Sequence, residues 1–135
     1  MNIKKIIPFL VLSLSLLGFG FATDALASNH GNTSWGNEYR IWSPDDHTPA
    51  RKKDNRTAYY NKTTSGSTYI NIWAALYDGR DVSGGRTYRS YPGGQATFLY
   101  NLAVERYGSG VSVRIDSRRF ANAHARGVWS PDSVR

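Results

Sequence analysis

Arginine beside tyrosine is the residue pairing in this chain best suited to chemistry. In "RTYRSY" an extended backbone exposes Arg86, Tyr88 and Ser90 on one face and Arg89 and Tyr91 on the other. A guanidinium offers a planar fork to phosphate or carboxylate, and a neighbouring ring can stack on a planar or sugar group. Two cationic stretches add to this, "RKKDNR" with Arg51, Lys52 and Lys53, and "DSRR" with Arg118 and Arg119. The chemistry is capture of anions. Acid-base cleavage of a phosphodiester is the enzymatic counterpart, with Glu105 and His124 exchanging protons while Arg86, Arg89 or Arg114 stabilises phosphate charge. Against it, Glu105 precedes Arg106 and His124 sits among alanines, which suits a surface ion pair and a solvated histidine better. His30, His47 and His124 lack metal-ligand spacing, no cysteine is present, and no G-x-S-x-G elbow or phosphate loop occurs. No cofactor, metal or catalytic residue is assigned.

Trp-Ser-Pro-Asp occurs twice, at 42–45 and 129–132. A residue before proline is pushed into extended geometry, proline suits the second position of a turn, and aspartate accepts local backbone hydrogen bonds. The tetrapeptide is therefore expected to end a strand and fold its ring over the core. The functional alternative makes Trp42 and Trp129 paired platforms for a sugar or lipid headgroup.

The elements that must carry these residues follow a leader. "MNIKK", an apolar run from Ile6 to Ala22 and "DALA" read as a secretory signal peptide over 1–27, cleaved after Ala27. Residues 28–37 are expected to form a flexible arm and residues 38–135 a single β-rich domain. Without the leader the formal charge falls from +7 to about +6. All four tryptophans and all nine tyrosines lie beyond it, so large rings must replace the disulfides that small exported domains often use.

Strands are expected in "NEYRIW", "TAYYNKTT", "TYINIWAALY", "RTYRSY" and "GVSVRIDS", the third of them central and buried on both faces. "SPDDHTPARKKDNR" reads as an exposed loop, and "RRFANAHARG" as a linking segment before "VWSPDSVR". "QATFLYNLAVERYGSG" fits a helix somewhat better than a strand. The fold class is mainly β, a small antiparallel β-sandwich or partly open barrel with one short helix.

The "NLAVERYGSGVSVRID" segment and the terminal "GVWSPDS" resemble small secreted, uncharacterised proteins of Bacillus and related Gram-positive bacteria that end in G-x-W-S-P-D-S. The resemblance covers roughly the C-terminal 40 residues. It implies export and host type, and it carries no catalytic residue. The expected function is a secreted basic protein that binds anionic envelope polymer or lipid surfaces, with an antimicrobial, bacteriocin-like use. Arg51, Lys52, Lys53, Arg118 and Arg119 would dock it, Arg86, Tyr88 and Arg89 would contribute, and Trp42 and Trp129 would enter the interface. The alternatives are a small secreted ribonuclease and a structural or matrix exoprotein. Nucleic acid is the less favoured partner.

Overall fold

Val111, Val113 and Ile115 alternate with Ser112, Arg114 and Asp116, and this period of two is what a strand with one buried face requires. The computed structural model describes residues 28–133; the expected signal peptide, 1–27, lies outside the described residues, as do residues 134–135. Within them the chain runs β1 (Thr33–Tyr39), β2 (Asp45–His47), β3 (Arg51–Lys53), β4 (Tyr59–Gly66), β5 (Ile70–Leu76), β6 (Tyr88–Ser90), β7 (Thr97–Leu99), α1 (Ala103–Tyr107), β8 (Val111–Arg118) and β9 (Ala123–Ser130). Two antiparallel sheets face each other as a small sandwich with no closed barrel. One has the order β1-β9-β4-β7, the other β2-β8-β5-β6, with β3 also paired to β8.

The core lies between the sheets, and its largest wholly buried side chains include Trp129, Tyr39 and Tyr59. Buried rings with a polar tip usually find a partner for it, and three of them do, whereas the buried Trp129 Nε1 has no hydrogen-bond partner among the described residues. The Tyr59 hydroxyl donates to the Ala75 carbonyl at 2.9 Å, Trp35 Nε1 donates to Asn61 Oδ1 at 3.0 Å, and the Tyr39 hydroxyl lies 2.6 Å from Ser117 Oγ. Ring size on one strand is matched by smallness on the next. Trp35 is paired with Gly127, Asn37 with Ala125 and Tyr39 with Ala123 across β1 and β9. A Cβ on Gly127 would lie 2.8 Å from the Trp35 ring and 2.3 Å from the Lys62 carbonyl oxygen, so only glycine fits that close approach.

Several segments differ from their sequence expectation. The segment expected as a flexible arm contains most of β1, because Trp35 has the core to enter. The segment expected as an exposed loop contains β2 and β3, two edge strands whose pairing needs no apolar residue. The second half of the expected linking segment belongs to β9, an inner strand. Residues 95–107 divide between strand and helix, β7 first and then α1. β5 is an inner strand as expected, yet Asn71 and Trp73 on its outward side are only half buried. The turn "YPGG" follows β6: Gly94 N–H donates to the Tyr91 carbonyl at 3.0 Å, with Gly93 at φ 71°, the type II geometry that proline-glycine favours.

The second Trp-Ser-Pro-Asp closes the molecule from inside. Lys53 and Asp132 form an ion pair of 2.9 Å with both side chains 0% exposed. Lys53 Nζ also donates to the carbonyls of Thr57 and Pro131. Asp132 accepts backbone N–H groups from Asn29 at 2.7 Å and Asp54 at 3.0 Å. Burial lowers the Lys53 pKa, while the Asp132 hydrogen bond and charge oppose that shift.

Candidate anionic-surface site

Three connections meet at one end of the sandwich. The β1–β2 connection, which passes from one sheet to the other, is closed by reciprocal backbone hydrogen bonds between Arg40 and Ser43, at 3.0 and 2.9 Å, which leaves Ile41 and Trp42 at its tip. The β8–β9 connection locks onto it: Arg119 N–H donates to the Pro44 carbonyl at 2.9 Å, and Ile41 N–H donates to Asn122 Oδ1 at 3.3 Å. The β4–β5 connection is joined to β9 by Ser67 N–H donating to the His124 carbonyl at 3.0 Å. Between them these loops expose Trp42 (78%), Phe120 (69%) and Ile41 (65%). Large apolar side chains held together in solvent mark an interaction surface more often than isolated ones do.

Phe120 lies 5.6 Å from the Arg118 guanidinium, and two further arginines stand at the same end. The guanidinium carbons of Arg89 and Arg119 each sit 4.2 Å from the centre of the Tyr69 ring. Tyr91 lies 5.6 Å from Tyr69 ring to ring, and its side chain hydrogen-bonds Arg89, the largest cause of that guanidinium's raised pKa. Neither Arg89 nor Arg119 forms an ion pair with a carboxylate among the described residues. The other arginines near this end differ. Arg118 grips Asp45 through two bonds, Nε to Oδ1 at 2.6 Å and Nη2 to Oδ2 at 3.0 Å, and Arg40 reaches Glu38 at 3.5 Å.

Of the residues singled out by sequence, Trp42, Arg89, Arg118 and Arg119 come together here. Arg51, Lys52 and Lys53 do not. They lie on β3, which pairs with the opposite end of β8, roughly 23 Å away at ~3.3 Å per residue. Arg51 turns inward to the Gly31 carbonyl and Asn29 Oδ1, and burial lowers its pKa. Lys52 is exposed. Lys53 is a correction, since its ammonium is enclosed with Asp132 and meets no solvent. Trp129 is a second correction: it is 0% exposed, 6.1 Å from the Tyr59 ring, and forms no paired platform with Trp42. Its strand does stop at Ser130, and the Ser130 hydroxyl donates to the Asp132 carbonyl at 2.7 Å.

Arg86 lies 3.9 Å over Tyr100, and Tyr88 Oη accepts from the Tyr100 N–H at 3.0 Å, so this pair braces the β7–α1 connection. Glu105 is on α1 and His124 on the outward side of β9, with no hydrogen bond or ion pair joining them among the described residues. Sequence reasoning passed over Phe120, Ile41 and Tyr69. The signal that could have found them is a bulky residue inside an otherwise polar connection, "SRRFAN" and "SGSTY".

No group of His, Asp or Glu residues is arranged to hold a metal ion among the described residues. No described helix is long and apolar enough to cross a membrane. A family model described as "Protein of unknown function (DUF2712)" matches residues 22–133. No curated protein matches the chain.

Proposed function

We propose, from the premise that this chain belongs to the DUF2712 family of proteins of unknown function, that it is an exported protein that binds anionic envelope surfaces through the loop end of its sandwich. Arg89 and Arg119 draw the protein to phosphate-rich polymer or headgroups, and Trp42, Phe120 and Ile41 enter the interface. The observation that carries this reading is the locking of two loops that expose three apolar side chains at the same end of the sandwich as two guanidiniums with no carboxylate partner among the described residues. The antimicrobial, bacteriocin-like use is the biological form of the same reading, and a Gram-positive producer suits the leader and the absence of cysteine.

The test compares binding to phosphatidylglycerol vesicles, phosphatidylcholine vesicles, purified wall teichoic acid and RNA, each at low and high salt. Binding is expected on the anionic vesicles and the wall polymer, and it weakens with salt because exposed charges are screened. Trp42→Ala with Phe120→Ala loses the vesicles, and Arg89→Gln with Arg119→Gln weakens both anionic targets roughly thirtyfold. Equal binding to neutral vesicles, or indifference to both double substitutions, sinks the reading. RNA cleavage abolished by His124→Ala favours the ribonuclease alternative, and absence of any salt-dependent binding favours a matrix role.

A further inference from the structure

The outward face of the five-stranded sheet bears a different chemistry from the loop end. His47 on β2 and Trp73 on β5 are both paired with Asp116 on β8, so the three form one cross-strand row. Arg114 and Arg118 stand two residues to either side of Asp116 on the same face. Trp73 borders two hollows. One, about 320 Å³, is lined by His47, Arg114 and Asp116 among others; the second, about 210 Å³, is lined by Asp81, Ser83, Thr87 and Arg118. The larger is within the range of small-ligand sites, ~300–1,000 Å³.

The charges here are already satisfied. Arg114 Nε meets Asp116 Oδ1 at 2.6 Å, and Arg118 holds Asp45 through two bonds. A phosphate or carboxylate ligand would find both guanidiniums occupied and would face Asp45, Asp81 and Asp116 as well. What the surface offers is a half-buried indole, with the Arg118 guanidinium 5.6 Å over its ring, bordered by carboxylate acceptors, guanidinium donors and hydroxyls. That set matches a neutral polyol: the partly positive C–H face of a pyranose on the electron-rich ring, and its hydroxyls on the charged pairs at the sides. Because the hollows flank one ring, the fit is to a chain of sugars and not to a single one.

We infer that this face binds a neutral, chain-like glycan across Trp73, at a site that meets the loop end at Arg118 but does not use Trp42, Arg89 or Arg119. The Trp73 ring carries the stacking contact, and Asp116 with Arg114 fixes orientation on one side as Arg118 does on the other.

The test uses the protein as it is produced, titrated with chitohexaose and with cellohexaose while the indole N–H signals are followed by NMR. At least one of the two is expected to shift the Trp73 signal, with affinity unchanged between low salt and about 0.5 M salt. Trp73→Ala weakens binding about tenfold or more, whereas Trp42→Ala leaves it intact. No Trp73 shift with either oligosaccharide at millimolar concentration overturns the inference. So does a shift abolished by salt, or one reproduced by inorganic polyphosphate. Vesicle binding is read separately, so failure here leaves the loop-end reading standing, and the reverse holds too.

Discussion

Two aspartates on the same sheet face show how burial decides what an arginine neighbour does to a carboxyl. Asp45 is exposed and its pKa is lowered, first by the hydrogen bond from Arg118. Asp116 also meets an arginine, but burial raises its pKa more than Arg114 lowers it. Asp116 is therefore expected to take up its proton at a higher pH than Asp45, which carbon-detected NMR of the side-chain carboxyls measures directly. The stability consequences have opposite signs. Asp45 contributes stability that is present above the ordinary carboxylate value and lost as pH falls through its depressed value. Asp116 is disfavoured when ionised in the fold, so its contribution grows as pH falls from its raised value towards the ordinary one. Asp45 titrating above Asp116 would contradict both assignments.

Among the elements, the strands most directly legible in the sequence were β5 and β8, whose inward side is large and apolar. β5 presents Ile70, Ile72 and Leu76 to the core and β8 presents Val113 and Ile115, so alternation alone identifies them. β9 escaped because the inward residues before Trp129 are Ala123, Ala125 and Gly127, small to admit the rings of β1, and small residues carry little hydrophobic signal. β3 escaped because the residue it buries is a lysine, whose partner Asp132 is 79 positions away in sequence. That partnership joins β3, the β3–β4 connection and the segment after β9 to residue 29. Lys53→Met is expected to cost about 3–5 kcal/mol, because it strands a buried carboxylate. Lys53→Met with Asp132→Asn should recover part of that loss. Chemical denaturation of the three proteins measures it, and a single substitution that costs nothing would show that the pair does not tie these segments.

For the molecule as a whole, composition foretold a β-sandwich stabilised by aromatic rings but not where its positive charge gathers. Four cations, Arg40, Arg80, Arg114 and Arg118, are spent on partly or largely exposed ion pairs, and Lys53 on a buried one. Trp42 and Arg119 were visible as candidates, yet their proximity depends on two loops locking at a distance of many residues. The proposed adsorption through that end would have an orientation that fluorescence can read. Quenching by lipids brominated in the acyl chain is expected to fall on Trp42 and to vanish in Trp42→Phe, since Trp35 and Trp129 are buried and Trp73 faces sideways on the sheet. Quenching that persists in Trp42→Phe would mean that another surface meets the lipid.

The position of β9 between β1 and β4 bears on how the chain acquires its shape. A polypeptide made from its N-terminus emerges with the outer two of these strands long before the one that joins them. Until Ala123–Ser130 arrives, the four-stranded layer has no middle, and Trp35 and Tyr39 have no surface to cover. Such non-local pairing delays assembly, so a growing chain stays open and threadable through most of its synthesis.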